Sequence, residues 1–469
     1  MNRPTEAVGM MRLADAARLL GAAATDCREW FQCVTTDSRR LQAGDLFIAL
    51  RGERFDGHDF VSQALQQGAV GAVVEASCQG IASSPRVIRV DSTPEALSAL
   101  AAAWRRQINP QVIAVTGSNG KTTVKDMLAL ILRRAAVNQG QDPQLAVLAT
   151  EGNLNNTLGL PMTLLRLRAE HRWAVVEMGM NHEGEIAAMT RVARPAVALV
   201  NNVQRAHLGL LGSLEAVARA KGEIFQGLPR QGMAVLPAAD AMIAELRRSA
   251  EGHRVIDFAL ESPAEVTGHR LPDIPSAGGI SNAMQMRFPT GEIAVRLNVP
   301  GRHNLLNALA AGAAALALGI DATSIQQGLE SFQGVPQRLQ SKFSARGALI
   351  LDDTYNANPD SVAAAIAVLA GRTGRRVLVL GDLGELGDSA PALHAEVGRQ
   401  ARDAGIDDFF TVGEWAREAA RAFGPHAHHF EDIETLVATL KPQLNADASV
   451  LVKGSRFMEM ERVVEGLVQ

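Results

Sequence analysis

Residues 112 to 123 confine what this chain can become. Val112 to Val115 is an unbroken apolar run, the pattern of a strand buried on both faces. Thr116-Gly117-Ser118-Asn119-Gly120-Lys121-Thr122-Thr123 follows at once, and then Val124, Met127, Leu128 and Ile131 recur on one helical face. Strand, glycine-bearing turn and helix in that order make a phosphate cradle. The glycines let backbone N–H groups turn inward around phosphate oxygens. The helix start adds partial positive charge. In such a loop Lys121 reaches the β- and γ-phosphates, and the Thr122 hydroxyl ligates Mg²⁺. The strict G-x-x-x-x-G-K-[ST] spacing is not kept. Val115 stands where the first glycine belongs, and Gly117 follows Thr116 instead, so the loop is a variant.

The 469 residues around this unit exceed one ordinary hydrophobic core and divide into three blocks. The first, 1–108, holds strand candidates at Leu46 to Leu50, Ala69 to Val74 and Val87 to Val90. Ser92-Thr93-Pro94-Glu95 then starts a helix that runs to Gln107. The second, 109–335, adds β-type runs at Ala174 to Met178, Val197 to Val203 and Met233 to Leu236. From Glu261 to Gly291 the pattern predicts loops and short antiparallel strands. The third, 336–469, opens after the predicted hinge Gly334-Val335-Pro336. It alternates strands at Ala348 to Leu351, Val377 to Leu380, Phe409 to Val412 and Val450 to Val452 with helices, one near Ser361 to Ala370. The fold class is therefore α/β: a small N-terminal α/β domain, a central phosphate-loop domain on a mostly parallel sheet, and a doubly wound C-terminal domain.

A net charge of only -4 excludes a nucleic-acid tract or a membrane-binding patch. The N-terminus Met1 to Glu6 precedes no signal-peptide core, and runs such as Ala308 to Leu318 are too short to span a bilayer. Cys27, Cys33 and Cys78 form no C-x-x-C pair, as expected of reduced thiols. These features predict a cytoplasmic protein.

Four further places carry chemistry. The strand Ala174-Val175-Val176 ends in Glu177, where an acid can hold a metal beside a nucleotide. His207 follows the run Val197 to Val203, and strand C-termini face the ligand crevice in such sheets. Lys221 lies in the helical stretch Ala216 to Phe225, where a lysine is ordinarily a solvated one. Asn153-Leu154-Asn155-Asn156-Thr157 offers amides that read polar substrate groups or simply make a turn.

Taken together, these motifs resemble the Mur ligases, ATP-dependent amino-acid and peptide ligases of peptidoglycan precursor synthesis. Nearly the whole chain takes part in the resemblance. Asp37-Ser38-Arg39, Gly44 to Leu50 and Phe55-Asp56-Gly57-His58 look like the family's uridine-nucleotide domain. Asn153 to Thr157 with Gly159 and Pro161 looks like the substrate loop of one branch. Asp352 to Ser361 resembles that branch's C-terminal signature, and Lys453-Gly454-Ser455-Arg456 its terminal motif. The branch adds D-Ala-D-Ala to a UDP-N-acetylmuramoyl-tripeptide.

The resemblance implies roles. Thr116, Gly117, Ser118, Asn119, Gly120, Lys121, Thr122 and Thr123 would form the ATP and Mg²⁺ loop. Glu177 and His207 would lie around a second metal, joined by Lys221, which matches a lysine carbamylated in these ligases. Lys121, Lys221, His207 and Glu177 would form the catalytic set. Asn304, in His303-Asn304 with Asn307 beyond, would sit on the adenine side. Arg338 would reach ATP on closure, and Asp353 would contact the nucleotide. Ser38 and Arg39 would serve the uridine nucleotide, and Asn155 and Asn156 the peptide substrate. Asn356, Asn358 and Ser361 would hold the incoming dipeptide. Gly381 to Gly387 looks branch-specific and receives no role. The implied partners are small molecules, with no nucleic acid and no membrane insertion, and the implied state is a monomer.

The sister ligase that adds a diamino acid carries an Asp-Asn-Pro-Arg type motif, and here the comparable stretch reads Asn356-Ala357-Asn358-Pro359-Asp360. Folylpolyglutamate synthase would not need the uridine-type segment. A GTP switch would need an Asn-Lys-x-Asp motif, absent here. A purely structural nucleotide-binding module would bind ATP without peptide-dependent turnover.

Overall fold

The computed structural model describes residues 9–23, 25–276 and 279–468. The N-terminal stretch Met1 to Glu6 thus lies outside the described residues. Two short strands, Met11–Arg12 and Trp30–Phe31, pair antiparallel at the start. A four-stranded parallel sheet comes next in chain order: Cys33–Thr35, Asp45–Ile48, Gly71–Glu75 and Val87–Val90. The helix Thr93–Ile108 starts as its sequence predicts, with the Ser92 hydroxyl accepting from the Glu95 N–H and Pro94 in the first turn. It also ties this region to the next. The Trp104 indole donates to the Leu167 carbonyl at 3.0 Å, and Leu97 and Leu100 share a core with Leu160 and Leu164.

The central sheet has nine strands. From one edge they run Val147–Ala149, Trp173–Glu177, Gln111–Thr116, Val197–Val200, Met233–Pro237, Arg254–Leu260, Val266–Ser276, Gly279–Phe288 and Gly291–Leu297. All pairings up to Val266–Ser276 are parallel, and the last two are antiparallel. Both faces are covered. Val112, Ala114, Val176 and Val200 point into one core, while Ile113, Val115, Val175 and Leu199 point into the other. This is the period-2 alternation of a strand buried on both sides. The second core packs the phosphate-loop helix Lys121–Asn138 and the alanine-rich helix Arg302–Ala317 against the sheet.

Two expectations need correction. The run Val197 to Val203 leaves the sheet after Val200, because Asn201 and Asn202 turn their amides toward the phosphate loop. The stretch Glu261 to Gly291 is not a set of loops and short strands. It contains strands of 11 and 10 residues, Val266–Ser276 and Gly279–Phe288. Their pairing shifts register between Leu271 and Ile274, where Pro272 cannot donate to the ladder. Alternation of buried Met284, Met286 and Phe288 with outward Gln285 and Arg287 carries the second strand.

The C-terminal sheet has six strands, ordered Gln340–Phe343, Leu349–Asp353, Ala448–Lys453, Arg375–Leu380, Asp408–Val412 and Ala427–Phe430. Only the first pairing is antiparallel. Cores on both faces make it doubly wound, as predicted. Among the described residues no helix is long and apolar enough to cross a membrane, and Cys27, Cys33 and Cys78 are free thiols.

One close approach fixes the phosphate-loop helix. Gly328, in the helix Ala322–Glu330, lies so near the Ile131 backbone that an added Cβ would overlap Ile131 Cα. Gly328→Ala should therefore lower stability by about 1–3 kcal/mol. The check is the thermal unfolding midpoint by circular dichroism, and an unshifted midpoint would show that the two helices separate freely.

Candidate active site

A cleft of about 1120 Å³ opens at the C-terminal ends of the central strands. Open parallel sheets bind ligands at this point, where the chain order of strands reverses. Here the reversal falls on Gln111–Thr116, flanked by the strands ending in Glu177 and Val200. The C-terminal region closes the opposite wall with Asp353, Asn356, Asn358, Glu385 and Lys453.

The phosphate loop is held by neutral amides. The Asn201 side chain donates to the Asn119 carbonyl at 2.9 Å and to Asn307 Oδ1 at 2.8 Å. Asn202 accepts from the Asn119 N–H at 2.9 Å and donates to the Asn119 carbonyl at 3.0 Å. Ser118 and Gln204 exchange two hydrogen bonds. Gly120 has φ +78°, and a Cβ there would overlap the amides of Asn307 and Asn201, so this turn demands glycine. Lys121 starts the helix, and its ammonium donates to the Gly117 carbonyl at 2.9 Å. Burial pulls the Lys121 pKa below its ordinary value; Glu177 and Glu385 oppose the shift, and Arg338 adds to it. Thr116 is buried in the wall, its hydroxyl donating to the Met178 carbonyl, and Gly117 and Thr123 complete the loop.

Glu177 is 2% exposed. It accepts from the Thr122 hydroxyl at 2.9 Å and the Asn155 amide at 2.8 Å, both neutral donors. The buried carboxylate and the Thr122 hydroxyl are hard oxygen donors of the kind that suits Mg²⁺. Arg338 reaches the same point from beyond the predicted hinge. Its guanidinium donates to Thr122 Oγ1 at 3.1 Å and stacks on Tyr355 at 4.3 Å. The joint is tightly turned, with positive φ at Gly334, Gln337 and Leu339.

His207 lines the cleft and lies 2.7 Å from Glu385. Lys221 is not a solvated lysine: it is 2% exposed in the helix Leu214–Gly222, and its pKa falls well below the ordinary value through burial and the nearby Lys121 charge. Asn304 donates to the Pro300 carbonyl and accepts from Asn307, continuing the amide chain. Beside it, desolvation pushes the His303 imidazole down to about 4, which leaves it neutral.

On the opposite wall, Lys453 donates to Asp353 at 2.6 Å and to the Asn356 carbonyl at 3.0 Å. Burial raises the Asp353 pKa against the pull of Lys453. Asn358 and Ser361 form the capping box of the helix Pro359–Ala370. The Asn358 amide also donates to Asn119 of the phosphate loop at 2.8 Å. Asn156 lines the cleft and caps Gly159–Leu164 by accepting from the Leu158 and Gly159 N–H groups. Ser38 and Arg39 do not line this cleft. They lie between the first two strands of the N-terminal sheet, where Arg39 grips Asp37 at 2.9 Å.

Several residues of the site carry no prior role. Asn201, Asn202 and Gln204 are visible in the sequence only as a polar stretch after a strand. Arg205 binds Asp360 at 2.7 Å and Glu396 at 3.1 Å, contacts between distant segments that spacing cannot reveal. Asp240, whose pKa is raised by burial, fixes the Val203 N–H.

Three family models match in order. They are the Mur ligase family catalytic domain over residues 31–105, the Mur ligase middle domain over 115–315 and the Mur ligase glutamate ligase domain over 337–456. The chain belongs to the Mur ligase family. Among its curated relatives, UDP-N-acetylmuramoyl-tripeptide–D-alanyl-D-alanine ligase of Escherichia coli K12 is 43% identical over 437 residues, 92% of this chain and 93% of the relative. A crystal structure of MurF from Acinetobacter baumannii superposes with TM-score 0.88 at 37% identity, covering 97% of this chain and 98% of that one. MurF ligase from Thermotoga maritima, solved in complex with ADP, superposes with TM-score 0.81 at 28% identity, covering 93% and 96%. The three-part α/β architecture is thus that of a Mur ligase.

The glycine requirement in this Mur ligase loop is testable. Gly120→Ala should lower the unfolding midpoint and weaken ATP binding at least tenfold, about 1.4 kcal/mol, because its Cβ displaces the amides that shape the loop. Titration calorimetry with ATP reads this directly, and unaltered affinity would mean the loop tolerates a different turn.

Proposed function

We propose that this chain is the ATP-dependent ligase that joins D-Ala-D-Ala to UDP-N-acetylmuramoyl-tripeptide in peptidoglycan precursor synthesis, releasing ADP and phosphate. One observation carries the reading from the geometry. Asn358, in the C-terminal signature, hydrogen-bonds Asn119 of the phosphate loop at 2.8 Å, so the nucleotide side and the amine side share one cleft. Full-length likeness to relatives bearing that activity as their name supports the same conclusion.

The reading assigns 1–108 to the UDP-sugar, with Ser38 and Arg39 serving the nucleotide. It assigns 109–335 to ATP and 336–469 to the incoming dipeptide. The substrate carboxylate attacks the γ-phosphate of ATP, the bond to the β-phosphate oxygen breaks, and an acyl phosphate forms with ADP leaving. Two anions meet in that step, so positive charge must sit where it accumulates. Lys121 supplies it by position rather than by covalent chemistry. Mg²⁺, when bound, would be held by Thr122 and Glu177, with His207 and a carbamate on Lys221 serving a second ion, and would neutralise phosphate charge. Asn155 and Asn156 orient the peptide. Arg338, Asn304 and Asp353 hold the nucleotide. Asn356, Asn358 and Ser361 receive the dipeptide, whose neutral amine attacks the acyl carbonyl. The amide forms, phosphate leaves, and the amine proton passes to a base or to a phosphate oxygen. Closure about Val335-Pro336 keeps water from the acyl phosphate. The enzyme acts as a monomer in the cytoplasm, where ATP is supplied.

The low pKa of Lys221 favours its modification. Only the neutral amine attacks CO2, and burial keeps Lys221 neutral at a pH where a surface lysine stays charged. Protein equilibrated with ¹³C-bicarbonate should show a carbamate carbon resonance that Lys221→Arg lacks. An identical spectrum from both proteins would remove the carbamate from the mechanism.

The activity itself is tested with Mg·ATP, the UDP-muramoyl tripeptide and D-Ala-D-Ala, with phosphate release as the readout. Release should require both substrates. Release with neither would indicate an ATPase. Release with a free diamino acid and the shorter acceptor would indicate the sister ligase.

A further inference from the structure

Arg205 has no part in the mechanism above, yet it makes more polar contacts across the cleft than a surface arginine needs. It follows the strand Val197–Val200 and reaches from the central region into the C-terminal one. Its backbone N–H donates to Asp360 Oδ2 at 2.7 Å. Its Nε and Nη2 donate to Asp360 Oδ1 at 3.0 and 2.7 Å. Its Nη1 donates to both oxygens of Glu396 at 3.1 Å. All three side chains are part-buried. An isolated exposed ion pair contributes little. A part-buried guanidinium fork that grips two carboxylates is instead held in one geometry.

The grip closes a ring of contacts. Asp360 lies two residues after Asn358, in the first turn of the helix Pro359–Ala370. The Asn358 amide donates to Asn119 Oδ1 at 2.8 Å, and the Asn119 amide donates to Gln204 Oε1 at 2.6 Å. Gln204 is the neighbour of Arg205, so the ring runs from Gln204 through Asn119, Asn358 and Asp360 to Arg205. The base of the ring is fixed, because the Gln204 N–H donates to the Ser118 hydroxyl at 2.9 Å and the Ser118 hydroxyl donates to the Gln204 carbonyl at 3.0 Å. Attachment at Asn358 alone would let the C-terminal wall pivot on one hydrogen bond. Asp360 removes that freedom from the start of the same helix, and Glu396 removes it from a second helix, Ala390–Asp403.

We propose that Arg205 is a positioning residue for the second step of the reaction: by gripping Asp360 and Glu396 it sets where Asn358 and Ser361 present the dipeptide amine to the acyl phosphate. Asn358 caps its helix by accepting from the Ser361 N–H at 2.9 Å, so the two residues move with Asp360 as one unit. Attack on a carbonyl tolerates little displacement, and an error of about 1 Å can cost about 100-fold in rate. The proposal rests on the ligase reading, which places the dipeptide at Asn356, Asn358 and Ser361.

The test separates the two steps. With Mg·ATP and the UDP-muramoyl tripeptide, hydroxylamine traps the acyl phosphate: its nitrogen attacks the carbonyl, phosphate leaves, and a hydroxamate forms without the dipeptide. Arg205→Ala should form hydroxamate at the wild-type rate with KM for ATP unchanged. Its kcat/KM for D-Ala-D-Ala should fall about 10- to 100-fold. Arg205→Lys, a point charge without the planar fork, should recover only part of the loss. Asp360→Asn should show the same selective defect, and adding it to Arg205→Ala should cost nothing further, as expected of residues that act as a unit. Equal losses of hydroxamate and of ligation would mark a general docking or folding contact and overturn the proposal. An unchanged kcat/KM for the dipeptide would overturn it too, as would additive losses in the double variant. Failure of the ligase reading shows separately, in the wild type, as no hydroxamate and no phosphate release dependent on both substrates.

Discussion

Everything in the cleft depends on how the phosphate loop is held without spending its charge. The supports are amides: Asn201, Asn202, Gln204, Asn304 and Asn307 form a chain of hydrogen bonds from the loop to the base of the helix Arg302–Ala317. Each such bond contributes about 1 kcal/mol net, while leaving one buried partner unpaired costs about 1–3 kcal/mol. The network is therefore rigid by the penalty of breaking it. Because its members are neutral, the field of Lys121 and the helix N-terminus stays available to an anion. Carboxylates in the same places could not make the donor bonds of Asn201 and Asn202 and would also cancel the field.

The stretch from Asn201 to Gly209 works on two sides. Asn201, Asn202 and Gln204 face the phosphate loop, whereas Arg205, His207 and Gly209 face the C-terminal region. It is short and irregular because it leaves the sheet as soon as the strand reaches Val200. The backbone groups given up by the ladder are met instead by Thr116, Asp240 and Asp360. The loop is thereby tied to both of its neighbours by direct hydrogen bonds.

The sequence makes local chemistry legible and leaves long-range chemistry dark. The phosphate loop, its strand and its helix are readable because periodicity and glycine placement are local properties. So are the alternating strands and helices of all three parts and the cap at Ser92. The strands between Val266 and Leu297 are underestimated, since proline and glycine mask a run with a bulge at Pro272. Glu177 stands out because strand ends have a fixed relation to the crevice. Lys221 reads locally as a solvated lysine, because nothing in Ala220-Lys221-Gly222 tells how deeply the helix packs; the family resemblance supplies the other role. The partners of Arg205, Glu385 and Lys453 lie 155, 178 and 100 residues away at Asp360, His207 and Asp353, and no pattern within a window encodes such pairs.

Arg338 belongs to the joint and to the site at once. The chain around it is bound on both sides: Arg338 to Thr122, the Gln337 carbonyl to the Tyr355 N–H, and the Leu339 N–H to Asp353. This connector is a fulcrum rather than a tether, and the C-terminal sheet is the long arm of the lever. A small backbone rotation at Gln337 or Leu339 sweeps the far edge strand, Ala427–Phe430, through a much larger arc. Extra residues at this point would lengthen the arm and detach its pivot together, so the length of the connector is as constrained as the identity of any side chain in the cleft.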